Sequence, residues 1–79
     1  MTEQELVQRA RKGDELAFEQ LVTDNEKRIY NLCCRLTGNP DDGAELAQEA
    51  FLNAWRGLEK FHGESSFATW LYRLASNAC

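Results

Sequence analysis

Residues 39–55 read Asn-Pro-Asp-Asp-Gly-Ala-Glu-Leu-Ala-Gln-Glu-Ala-Phe-Leu-Asn-Ala-Trp. Asn39 is an N-cap residue, and Pro40 suits the first helical position, where no N–H is needed. Asp41 and Asp42 complement the positive first turn. Ala47, Ala50, Phe51, Ala54, Trp55 and Leu58 then recur at helical spacing and share one apolar face. The pattern predicts a helix running to about Lys60, weakened locally by Gly43 and Gly57.

Working outward, the preceding segment carries Ala17, Phe18, Leu21, Val22, Ile29, Leu32, Cys33 and Leu36, again at helical steps. Asp14 caps its start and Thr37-Gly38 ends it. About 22 residues at ~1.5 Å each predict a rod of roughly 33 Å. Before it, a short helix is expected from about Thr2 to Lys12, with Leu6, Val7 and Ala10 as its stripe. Thr2 and Glu5 have capping-box spacing, and Gly13 is the stop. After residue 60 comes the polar loop His62-Gly63-Glu64-Ser65-Ser66. Ser65 or Ser66 is expected to cap a fourth helix from Phe67, burying Phe67, Trp70, Leu71, Leu74 and Ala78. The only proline is Pro40. The fold class is therefore all-α: a compact bundle of about four helices in a single domain, residues 1–79.

The chain has 79 residues, with 43% hydrophobic and 28% charged, which is ordinary globular composition with a thin core. No apolar run approaches the roughly 18 residues of a membrane span, and the polar start Met-Thr-Glu-Gln-Glu is unlike a signal peptide, so a cytoplasmic location is expected. The three cysteines are Cys33, Cys34 and Cys79. An odd count without a secretion signal argues against a disulfide framework, and without a CxxC pair no zinc site or other cofactor is expected. Cys33 reads as a small core residue, while Cys34 and Cys79 read as exposed thiols open to adventitious oxidation. No nucleophile–base pair, phosphate-binding glycine loop or paired carboxylate is visible, so no enzymatic activity is expected.

Two features stand out. Glu45, Gln48, Glu49 and Leu52 lie at i, i+3, i+4 and i+7 and share a face, extended by Asp41 and Asp42. That face is either solvated or a docking surface with Leu52 as its apolar contact. Near the end, Tyr72, Arg73, Ser76 and Asn77 fall off the apolar stripe beside the Gly/Ser loop. A ring, a cation and an amide there suit an unstacked base. The net charge of −4 opposes nucleic-acid binding, although acids concentrate before residue 50.

The same residues resemble a family. Asp41 to Trp55 is similar to region 2.2 of the bacterial sigma factors. Phe61 to Asn77 resembles regions 2.3 and 2.4 in the version of the extracytoplasmic-function (ECF) group, and Lys12-Gly13-Asp14 with Ala17-Phe18 resembles that group's opening. The resemblance implies a transcription initiation domain whose 2.2 face docks on the clamp helices of the RNA polymerase β′ subunit. Here that face would use Asp41, Asp42, Glu45, Gln48, Glu49 and Leu52. It implies a pocket of Phe61, Gly63, Ser65, Tyr72 and Asn77 that captures a flipped base from the non-template strand of the −10 element. Arg56, Lys60 and Arg73 would meet backbone phosphates, as would His62 when protonated. An anti-sigma factor is the expected regulatory partner. Gly43 and Ala47 stand where larger or more helix-favouring residues are frequent, which predicts a less rigid start to the docking helix. The helix-turn-helix domain that reads the −35 element in the family is not in this chain, so the chain is expected to be an isolated piece of a longer protein. The competing expectation is a helical protein-interaction module that never touches DNA.

Overall fold

The computed structural model describes residues 2–78, with side chains through Asn77. The chain forms four α-helices in the order α1 (Glu3–Arg11), α2 (Glu15–Thr37), α3 (Pro40–Gly57) and α4 (Phe67–Ala78). A 3-10 turn, Leu58–Lys60, lies between the last two. Among the described residues there is no strand, and no helix is long and apolar enough to cross a membrane. Nor does any group of His, Cys, Asp or Glu there have the arrangement of a metal site.

The caps follow the sequence closely. Thr2 Oγ1 accepts from the Glu5 N–H at 3.2 Å, while its hydroxyl reaches the Glu5 carboxylate at 3.3 Å. Asp14 Oδ1 accepts from the Ala17 N–H at 3.2 Å. Gly38 ends α2 in the left-handed region with φ 73°, donating its N–H to the Cys34 carbonyl at 2.8 Å. Its lack of a β-carbon makes that conformation cheap. Asn39 Oδ1 accepts from the N–H groups of Asp41 (2.8 Å) and Asp42 (3.4 Å). The α-helix of residues 40–57 stops short of Lys60 and tightens into the 3-10 turn, as helix C-termini commonly do.

α2 is the spine: its 23 residues span roughly 35 Å, which matches the 35 Å longest dimension of the molecule. α1 packs on α2, α3 lies along α2, and α4 closes against both α2 and α3. Leu21, Ile29, Cys33, Phe67 and Leu71 are the largest fully buried side chains. Cys33 is thus the small core residue expected. Leu46 and Ala75, unassigned in the sequence patterns, are buried, whereas Leu36 is 41% exposed near the end of α2. Trp70 and Leu74 are half-buried, Ala78's side chain lies outside the described residues, and so does Cys79.

Packing bears on two of these readings. Gly43, read from the sequence as a weak point of the helix, is buried where α3 crosses α2. A β-carbon there would lie 2.7 Å from Cys34 Sγ and 2.9 Å from the Cys34 Cα and N. The glycine is a contact point between two backbones. For the same reason Cys34 is half-buried rather than an exposed thiol.

Candidate functional site

α3 presents its polar face outward. Asp41, Asp42, Glu45, Gln48 and Glu49 are all exposed, and Leu52 is 53% exposed. Helical spacing puts Glu45, Gln48, Glu49 and Leu52 on one side. The face is wider than the sequence pattern indicated. Gln48 and Leu52 border an apolar groove of about 780 Å³ between α2 and α3, floored by Phe18, Val22, Phe51 and Trp55 and edged by Leu16, Glu15 and Glu19. Leu16 is 75% exposed, a large apolar side chain left in water. The tilted Phe18–Trp55 pair, with centroids 4.9 Å apart, joins the two helices across the floor. A smaller hollow of about 430 Å³, lined by Val22, Tyr30, Ala47 and Phe51 with Glu26 and Lys27 at its edge, prolongs it along the same two helices. Leu16 was missed because it falls out of register with the apolar stripe of α2. That misfit was the available signal.

The second feature is a cleft of about 600 Å³ at the start of α4. Phe61, His62, Gly63, Ser65, Ser66 and Phe67 form one wall, and Glu3, Gln4, Val7, Gln8 and Arg11 of α1 form the other. Gly63 turns the loop with φ 81°, a conformation that favours glycine. Ser66 is the cap of α4: its Oγ accepts from the Thr69 N–H at 3.2 Å. Glu3 adds a second acceptor, its Oε1 lying 2.7 Å from the Phe67 N–H. The contribution of α1 was not legible in the sequence, because it depends on how α1 docks.

The residues expected to form one pocket are only partly brought together. Phe61, Gly63 and Ser65 line the cleft, with His62 beside them, whereas Tyr72 and Asn77 of α4 do not. Phe61 is 4% exposed, so it is a core residue and not a free stacking platform. Its ring is engaged by Trp70 at 4.9 Å and by Phe67, edge-on, at 6.3 Å. Tyr72, expected off the buried stripe, is half-buried against the core. Arg73 and Asn77 are exposed on α4, and Arg56 and Lys60 are exposed at the end of α3 and in the 3-10 turn.

This arrangement of helices has close relatives. The family model Sigma-70 region 2 matches residues 21–79. The chain belongs to the sigma-70 region 2 family. It is 43% identical over 75 residues to the RNA polymerase sigma-H factor of Pseudomonas aeruginosa, a match covering 95% of this chain and 39% of that protein. It is likewise 43% identical over 77 residues to the ECF RNA polymerase sigma-E factor of Escherichia coli K12, covering 98% of this chain and 40% of that protein. The chain thus spans about two fifths of the length of these curated relatives. Among solved structures, it matches an engineered region 2 of sigmaE, determined by NMR in complex with GTAAAA. The TM-score is 0.89 at 40% identity, covering 98% of this chain and 80% of that one. Region 2 of an ECF sigma factor is a part of the transcription machinery and not an enzyme.

Proposed function

We propose that this region 2 domain docks on the β′ clamp helices of RNA polymerase through α3 and the α2–α3 groove, and captures an extruded base of the −10 non-template strand around the 61–66 loop and α4. The observation that carries the docking half is the exposed groove bordered by Gln48 and Leu52, an apolar floor beside acids at Glu45 and Glu49. Such a surface fits a partner helix offering apolar and basic side chains. It also gives the acidic residues a role that does not oppose DNA binding, because they face protein. An anti-sigma factor that covered this groove would silence the domain.

The DNA half is supported by the likeness to a region 2 solved with GTAAAA. Asn77, exposed on α4, offers donors and an acceptor to a base edge, and Gly63, Ser65 and His62 line the loop side of the cleft. Tyr72, partly buried against the core, would contribute only what it leaves exposed. Arg56, Lys60 and Arg73 are cations that position a backbone without specifying sequence. The domain melts DNA by stabilising the unstacked state. Extruding a base costs a few kcal/mol, and stacking returns ~1–3 kcal/mol per base, so polymerase contacts must supply the remainder.

Titration of a fluorescent single-stranded oligonucleotide containing GTAAAA tests the DNA half, and co-elution with a β′ clamp-helix fragment tests the docking half. Asn77→Ala should weaken oligonucleotide binding about tenfold, as expected for a lost base-edge contact of ~1–3 kcal/mol, and leave clamp binding intact. Glu49→Lys should do the reverse. If Glu49→Lys alone matters and the oligonucleotide never binds, the domain is a protein-interaction module.

A further inference from the structure

We propose that Glu3 is a positioning residue for the DNA-binding cleft: it ties α1 to the first residue of α4 and thereby sets the cleft's width. The inference rests on the DNA reading above. The bond from the Phe67 N–H to Glu3 Oε1 is 2.7 Å long and joins residues 64 apart in sequence. The two residues belong to opposite walls of the cleft. The first N–H groups of a helix have no partner within it, and a carboxylate at that end is favoured by the helix dipole. Ser66 satisfies the Thr69 N–H of that first turn. Phe67 therefore relies on a side chain from another helix.

The anchor sits where rigidity counts. Phe67 is 1% exposed and fixes the start of the helix that also carries Arg73 and Asn77. On α1, Leu6 and Val7 are buried, so Glu3 is held by a helix that is itself packed. A carboxylate beside a cleft for DNA is electrostatically unfavourable to phosphates, and a structural duty accounts for its presence.

Glu3→Gln and Glu3→Ala remove the same charge, but only the first keeps an acceptor at the same reach. Any effect of charge on DNA is common to both variants, so their ratio isolates the hydrogen bond. With the single-stranded GTAAAA oligonucleotide, E3A should bind about five-fold more weakly than E3Q, the size of one lost cap. Amide exchange followed by NMR should show the Phe67 N–H about five-fold less protected in E3A than in E3Q. Equal DNA affinities for the two variants, or an unchanged Phe67 N–H in E3A, overturn the proposal. If the unaltered chain fails to bind the oligonucleotide while its Phe67 N–H depends on Glu3, the DNA reading is what has failed, and the positioning role goes with it.

Discussion

Gly43 shows how one missing β-carbon decides an interhelical distance. In an isolated helix, alanine at this position would be favoured by roughly 1 kcal/mol over glycine. Here the added carbon would meet the Cys34 backbone at 2.9 Å, and backbone does not yield. Overpacking of this kind costs ~1–3 kcal/mol, so the clash outweighs the propensity. Gly43→Ala should therefore lower the urea midpoint. Gly57→Ala, whose β-carbon would lie an ordinary 3.8 Å from Trp70, should leave it unchanged or raise it slightly. A rise in both would mean that α2 and α3 do not cross at Gly43. Tyr30 reports on the same crossing. Its phenol is pushed above the ordinary tyrosine value, first by a hydrogen bond with the Cys34 side chain, then by the charge of Cys34, by slight burial and by Asp41. The fold favours the neutral phenol. That contribution is intact below about pH 10 and is lost as pH rises through the raised value. In a Tyr72→Phe background, near-ultraviolet absorbance should show Tyr30 ionising later than a free tyrosine, and Cys34→Ala should bring it back towards the ordinary range. A Tyr30 titration unaffected by Cys34→Ala would exclude the contact as the cause.

At the scale of elements, α2 and α3 act as a pair. The sequence of α3 alone suggested a one-helix docking face. The groove adds Leu16, Phe18 and Val22 from α2, and the most exposed apolar residue of the site, Leu16, comes from there. Leu16→Asp should weaken clamp-fragment binding about tenfold, because anchor residues in apolar grooves dominate interface energies. It should leave thermal stability within about 0.5 kcal/mol, since the side chain is already in water. Full clamp binding by this variant would restrict docking to α3. Phe61 is the opposite case. It occupies the junction between the 3-10 turn and α4 with its ring already packed, tilted, against Trp70. Phe61→Ala should destabilise by ~3–5 kcal/mol. Loss of DNA binding in that variant would therefore report unfolding rather than a lost base contact.

At the scale of the whole molecule, a body of 35 × 21 × 18 Å with net charge −4 has little surface to spare and no bulk attraction for a polyanion. Chain and duplex should associate poorly on their own. Anisotropy with a promoter duplex should give a far weaker signal than single-stranded DNA, and tight duplex binding by the isolated chain would contradict melting by capture. The four helices, their starts and the end of α2 were legible in sequence because caps and apolar stripes are local: Thr2, Asp14, Asn39 and Gly38 each act on groups within about four residues, whereas no such cap marked the end of α3 at Gly57. The exposed face of α3 followed from the same periodicity. The loop aromatics were not sortable in this way, because Phe61 lies outside a helix and no period assigns it a side. The Gly43–Cys34 crossing, the entry of Leu16 into the groove and the bond from Phe67 to Glu3 join residues distant in the chain. They depend on the rotation and spacing of one helix against another, which are fixed only when the whole core packs.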